Sequence, residues 1–293
     1  MTSFDTPEPI SVTVEIGVGD IRIAAGDRAD TVVDVRPSDP SKKADVTEAE
    51  QTLVEYASGR LLIKAKPKGW RQFKPWGGSE SVDVKIDLPA GSHVHGKAAV
   101  ATLRCTGRLG ECRYKTSVGD IHVDDVGSVE LRTYAGDVNV DHARDDSEVT
   151  AGSGAIRIGA VDGGAIVKNS NGDTWIGMVA GDLRVNAANG RIVVDHSQSS
   201  VAAKTAYGDI RLGDVAHGAV IAETAYGSVD IGIRAGVSAW LDVSTSFGTV
   251  RNELDEADRP EPGEDAVEVR AQTSFGDVTV GRFVALGAEK EDS

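Results

Sequence analysis

The sequence predicts an all-β chain, a parallel β-solenoid (β-helix-like) whose coils take ~18 residues and hold two short strands each. Three observations carry this. Glycines recur at Gly119, Gly136, Gly154, Gly172, Gly190 and Gly208, 17 or 18 residues apart, and continue less evenly at Gly227, Gly248 and Gly276. After these glycines apolar residues alternate, as in Ile121 and Val123, Val138 and Val140, Leu183 and Val185, and Ile210 and Leu212, the period-two signature of a short half-buried strand. Finally, whole phrases repeat: "KTAYGDIRLGDV" (Lys204–Val215) is followed by "ETAYGSVDIG" (Glu223–Gly232). A unit this short cannot bury its apolar side alone, so it must stack on its neighbours, with coils rising ~4.8 Å each.

Along the chain, residues 10–97 read as irregular amino-terminal strands and a cap, 98–284 as regular coils and 285–293 as a frayed tail, all within a single domain spanning 1–293. "SVTVEIGVGDIRIAAG", "TVVDVRPSD" and "RLLIKAK" alternate like strands without the regular period. Between them, Lys43 to about Glu50 is the one stretch that suits a helix, short and placed to cover the open edge of the first coil. About nine or more coils follow, successive units lying in register. The last spacing is stretched by "NELDEADRPEPGEDAVEV", an acidic, proline-containing insertion expected to be a solvated loop.

Stacking the repeats defines columns. The glycine column supplies positive φ at a corner. Three residues earlier stand Thr116, Thr133, Asn169, Thr205, Thr224, Thr245 and Thr273, expected to bond one another as a side-chain ladder. Immediately before the glycine, Tyr207, Tyr226, Phe247 and Phe275 predict an aromatic stack. Immediately after it come Asp120, Asp137, Asp173, Asp209 and Asp277, each suited to a turn because a carboxylate can bond a backbone N–H two residues on. Calcium is the competing reading of this column, but Ala155 and Arg191 interrupt it and the glycine-pair phrase of calcium β-rolls is missing.

The net charge of −15 and pI near 4.8 disfavour nucleic acid as a partner, since polyphosphate would be repelled. Only Cys105 and Cys112 occur, expected as buried reduced thiols rather than a disulfide framework. His93 and His95 are the only close histidine pair and lack further zinc ligands nearby in sequence; His122, His142, His196 and His217 are scattered. No nucleophile elbow or phosphate loop occurs, and no carboxylate pair stands out for polysaccharide cleavage. No cofactor, metal site or catalytic residue is expected, and a carbohydrate-active enzyme is the least favoured reading. The first twenty residues lack a basic segment followed by an apolar one, which together with the cysteine usage leads to the expectation of a cytoplasmic protein.

Two regions suit contact. "KAKPKGWRQFKPWGG" (Lys64–Gly78) interleaves Lys66, Lys68, Arg71 and Lys74 with Trp70, Phe73 and Trp76 and contains no acid, a composition that fits an anionic membrane surface or aromatic packing against the fold. Three residues beyond the main glycine, an outward column includes Arg157, Trp175 and Arg211, residue types favoured at protein interfaces.

"VDVKIDLPAGSHVHG" (Val82–Gly96), the run of TSxGDIxV phrases, "STSFGTVRNEL" and "TSFGDVTV" resemble the bacterial "putative adhesin" family of β-strand-repeat domains over roughly Ser81 to Val280. The resemblance implies a β-helix-like fold with no established catalytic activity. Members commonly carry a membrane anchor or export signal, and this sequence shows neither. The reading that results is a non-enzymatic scaffold or protein-binding module with a protein partner; the alternative is a membrane-surface or cell-surface adhesion module using residues 64–78.

Overall fold

In a computed structural model, residues 1–65, 80–254 and 266–283 are described, and they divide into two compact units, Met1–Arg157 and Ile158–Ser293. Lys66, Lys68, Trp70, Arg71, Phe73, Lys74 and Trp76 lie outside the described residues.

The first unit holds β1 (Thr2–Asp5), β2 (Ser11–Gly26), β3 (Asp30–Pro37), α1 (Lys43–Gln51), β4 (Leu53–Ala57), β5 (Arg60–Lys64), β6 (Val82–Pro89), β7 (His93–Val118), β8 (Ile121–Ala135), β9 (Val138–Ala143) and β10 (Ser147–Ser153). The strand β11 (Ile156–Val161) carries the chain into the second unit. There follow β12 (Ala165–Asn171), β13 (Thr174–Val179), β14 (Leu183–Asn189), β15 (Ile192–Ser197), β16 (Val201–Tyr207), β17 (Ile210–Val215), β18 (Ala219–Tyr226), β19 (Val229–Ile233), β20 (Ser238–Phe247), β21 (Val250–Asn252), β22 (Ala266–Phe275) and β23 (Val278–Arg282).

From β12 to β19 the hydrogen-bonded partner of a strand is not its neighbour in the chain but the next but one. In the second unit β14 pairs in parallel with β12 and β16, Val185 lying beside Val167 and Ala203; β15 pairs likewise with β13 and β17, Val194 lying beside Ile176 and Leu212. Because these registers match the ~18-residue spacing, every inward aliphatic meets another. Val167, Ile176, Val185, Val194, Ala203 and Leu212 are all buried. Each such Val, Ile or Leu contributes about 1.5–3 kcal/mol relative to exposure.

The expected parallel β-solenoid is corrected by the course of the strands. Among the described residues, sixteen parallel strands run round an axis through 336°, so the sheet nearly closes into a barrel. The physical reason is visible in the first unit, where strands are not clipped at every glycine. β7 runs for 26 residues and stays paired with β2 from Ser11 beside His93 to Ala24 beside Thr106, and β8 continues for 15 residues alongside it. Hydrogen bonding therefore passes through corners that the sequence reading treated as breaks between separate short strands.

At the amino terminus the pairing turns antiparallel, β1 with β3, β3 with β6 and β4 with β5. The helix α1 covers the expected residues and packs on β3 and β6. Its Asp45 is buried, held by Lys42 Nζ at 2.9 Å and by the Ser81 backbone N–H at 3.2 Å. Burial pushes that carboxyl up, yet these two donors outweigh it and its pKa lies below the ordinary value.

A second correction concerns order at the far end. β22 pairs with β18 on one side and β20 on the other, and β23 lies likewise between β19 and β21. The last strands in sequence are thus inserted between the two preceding repeats. The inward residues explain the exchange. β22 and β23 offer Val267, Val269, Ala271, Val278 and Val280, all buried, whereas β21 offers Asn252 at the position taken by Val280, Ile231 and Leu212 in the other repeats. An amide turned toward a core without a partner costs about 1–3 kcal/mol, so this repeat is the one suited to the end.

Candidate binding surface

The corner motif positions everything exposed near it. At Gly208, φ is 148°, and a Cβ built there would lie 2.1 Å from the Gly190 carbonyl oxygen. Stacking thus requires glycine twice over, for backbone conformation and for close approach. The threonines before it do not bond one another as expected. Thr224 Oγ1 donates to Gly208 O at 2.9 Å, Thr273 to Gly227 O at 2.9 Å and Thr245 to Gly276 O at 2.9 Å. Thr224 and Thr273 are buried, and the carbonyl of the adjoining repeat is the acceptor within reach.

The aspartates after the glycine also act between repeats rather than within their own turn. Asp120 Oδ1 accepts the Asp137 N–H at 2.8 Å, Asp173 Oδ1 that of Arg191 at 2.8 Å, Asp209 Oδ1 that of Ser228 at 2.9 Å and Asp277 Oδ1 that of Thr249 at 2.9 Å. One carboxylate oxygen in each is therefore committed to the backbone of the adjoining repeat. This gives the column a structural role in tying repeats together.

What these corners present outward is an aromatic ridge. Tyr207 stacks on Tyr226 with ring centroids 4.9 Å apart and planes 3° from parallel, Tyr226 on Phe275 at 4.9 Å and Phe275 on Phe247 at 4.8 Å. The spacing is that of paired strands. All four rings are exposed, Phe247 most of all at 67%. The sequence predicted the stack but placed Phe247 before Phe275; the inserted repeat reverses them.

Of the other predicted contact residues, Trp175 and Arg211 share one outward column of the second unit, with Val193 between them. Trp175 donates its indole N–H to Asp195 Oδ2 at 3.0 Å, and Arg211 lies 3.9 Å from Asp230. Arg157 is exposed on β11.

In the first unit, a depression is lined by Glu15, His95, Lys97, Arg113, Glu130 and Arg132. Its charges compensate one another: Glu111 accepts from His95 at 3.2 Å and from Arg113 at 2.6 Å, and Arg132 lies 3.1 Å from Glu130. Burial raises the Glu111 pKa, but these donors hold it below the usual carboxylate range. His93 accepts from the Glu111 backbone N–H at 3.0 Å, so this close histidine pair serves local structure.

Another histidine joins a group that sequence reasoning missed. His122, Asp124 and Asp141 place ligand-type atoms within 4.8 Å of one another, and among the described residues this is the one such group. The signal was available, because the β8–β9 register sets His122 beside Asn139 and Asp125 beside His142, which brings Asp124 and Asp141 together. His122 Nε2 already meets Asp124 Oδ1 at 3.1 Å, and the Gly107 N–H donates to its other oxygen at 3.3 Å. Cys105 and Cys112 are both fully buried, and their mutual hydrogen bond, with burial second, pushes the Cys105 thiol up, away from the reactive thiolate.

Three solved structures are similar to the chain. A "putative adhesin" from Parabacteroides merdae shares 12% identity, covering 95% of this chain and 94% of its own, with a TM-score of 0.44. A "putative adhesin" from Bacteroides fragilis shares 14% over 95% of each chain, with a TM-score of 0.32. A "putative cell adhesion protein" from Clostridium sporogenes shares 11% over 96% and 98%, with a TM-score of 0.23. No curated protein sequence matches. The expected cytoplasmic location is corrected and does not stand for this chain. That expectation rested on a leader-like segment and a disulfide framework being absent, and neither absence carries a location. The resemblance read from the repeats is sustained by the family model for Toastrack DUF4097, which matches residues 8–281. The chain, largely β-stranded over its described residues, belongs to the Toastrack DUF4097 family.

Proposed function

We propose that the chain is a non-catalytic adhesion module that binds a protein partner through the ridge formed by Tyr207, Tyr226, Phe275 and Phe247. The observation that carries this is the ridge itself, four exposed rings held at 4.8–4.9 Å on a backbone that cannot rearrange without breaking its strand pairing. Rigid aromatics contribute contact area at little entropic cost, which is why they dominate interface energetics. The adhesion names of the similar structures agree with it. Trp175, Arg211 and Arg157 are proposed as further contact residues.

Beads coated with the protein test this on immobilised fibronectin, fibrinogen and mucin. The wild type is expected to attach to at least one, and Tyr207→Ser with Phe247→Ser, at the two ends of the ridge, to reduce attachment about tenfold. Their melting temperature should stay within a few degrees of wild type. No attachment by the wild type, or equal attachment by the variant, removes the reading.

A second reading rests on the composition of Lys64–Gly78: contact with an anionic membrane surface through Trp70, Phe73 and Trp76 and the cations Lys66, Lys68, Arg71 and Lys74. Replacing the three aromatics by Ser should abolish co-sedimentation with vesicles of phosphatidylserine and phosphatidylcholine. A wild type that never sediments ends it.

A further inference from the structure

The repeat β20–β21 pairs only with β22–β23, so its other side is an edge without a strand partner among the described residues. The inward residues tell the same story. Val269 and Ala271 on β22 are buried, whereas Leu241 and Val243, directly beside them on β20, are only half-buried. Val250 at 40% is exposed at this end as well. Sheet edges are normally blunted by lysine, proline or a bulge. β20 reads Ser-Ala-Trp-Leu-Asp-Val-Ser-Thr-Ser-Phe, with no lysine, arginine or proline and one acid, Asp242, which Arg270 neutralises at 3.3 Å. Arg251 on β21 is likewise matched by Asp277 at 3.2 Å.

We propose that this edge pairs with the same edge of a second copy, β20 against β20 in antiparallel register about a two-fold axis at Val243. Symmetry allows a self-paired strand to centre on one residue, with the inward face of each copy continuing that of the other. Charge then excludes one centre. Centring on Asp242 would set two carboxylates face to face, a destabilising pair. Centring on Val243 sets Val243 against its symmetry mate, Leu241 against the partner's Thr245, Trp240 against the partner's Ser246 and Asp242 against the partner's Ser244. No like charges face each other, and two open apolar ends close into one core. A second copy suits this edge better than a charged peptide, because every charge on the repeat already has its partner within the molecule.

Sedimentation equilibrium of the full chain from 1 to 200 µM tests the proposal. The mass is expected to rise from 30.6 kDa toward twice that value, and to do so at lower concentration in 0.5 M than in 0.05 M NaCl, because salt screens the repulsion between two chains of charge −15. Ser244 is exposed and points outward, so its variants should leave the melting temperature unchanged. Ser244→Glu should weaken the dimer about tenfold by facing the partner's Asp242, and Ser244→Lys should strengthen it. A chain monomeric at 200 µM in high salt overturns the proposal, whether a foreign strand or another segment of the chain occupies the edge. So does a dimer whose strength is the same in both Ser244 variants.

Discussion

At the scale of single residues, the repeating phrase is a set of bonds directed at the adjoining repeat. Glycine lets two backbones approach, threonine donates to the glycine carbonyl, and aspartate accepts the next N–H. Replacing Gly208 by Ala would place a methyl 2.1 Å from the Gly190 carbonyl at a φ that side chains rarely adopt. The expected loss is about 2–3 kcal/mol, seen as a drop of several degrees in melting temperature. Asp214 gives a pH-dependent counterpart. It is buried, and although burial raises its pKa, hydrogen bonds from Arg234 Nε at 3.1 Å and from His196 hold it below its ordinary 3.8. A depressed folded pKa means that this stabilisation is complete above pH 3.8 and lost as pH falls through the folded value. Because the Arg234 side chain is 41% exposed, the pair contributes only about 1 kcal/mol. Thermal melts at pH 7 should show Asp214→Asn lower by that amount, with the gap to wild type closing toward pH 3.

Among the elements, the inserted repeat has the largest consequence. Were the chain stacked in sequence order, ending it at Leu254 would merely shorten the fold. With β22 and β23 lying between β18–β19 and β20–β21, the same truncation removes the only described partners of β20 and β21. Hydrogen exchange should then show Ser238–Asn252 losing its protection entirely while β14–β17 keep theirs. Retained protection over Ser238–Asn252 would mean that β20 can re-pair directly with β18. The sequence held a clue in Asn252, a polar residue at a position that is otherwise Val, Ile or Leu. Periodicity overlooks it, because two neighbouring repeats with the same phrase offer the same hydrogen bonds, and pairing partners differ only in what their inward side chains meet.

For the whole molecule, the negative charge is spread over a fold whose ion pairs lie mostly between adjoining repeats, such as Lys204 with Glu223 at 2.8 Å and Arg132 with Glu148 at 3.6 Å. The unpaired excess repels itself, so raising NaCl from 0.05 to 0.5 M is expected to raise the melting temperature by a few degrees. A fall would mean that the inter-repeat ion pairs outweigh the repulsion. The sequence by itself determined the strand alternation, the ~18-residue spacing, the glycine, threonine and aspartate columns, the short helix and the family. These follow from local geometry repeated along one chain, which any period in the letters records. Only the tertiary structure decided that β7 and β8 run on through the half-repeat glycines Gly110 and Gly127, that the strands nearly close on themselves, that the last repeat is inserted before its predecessor, and that Tyr207, Tyr226, Phe275 and Phe247 form one ridge in that order. Those outcomes depend on which strand edges meet, and an edge carries the same backbone donors and acceptors whatever its place in the sequence.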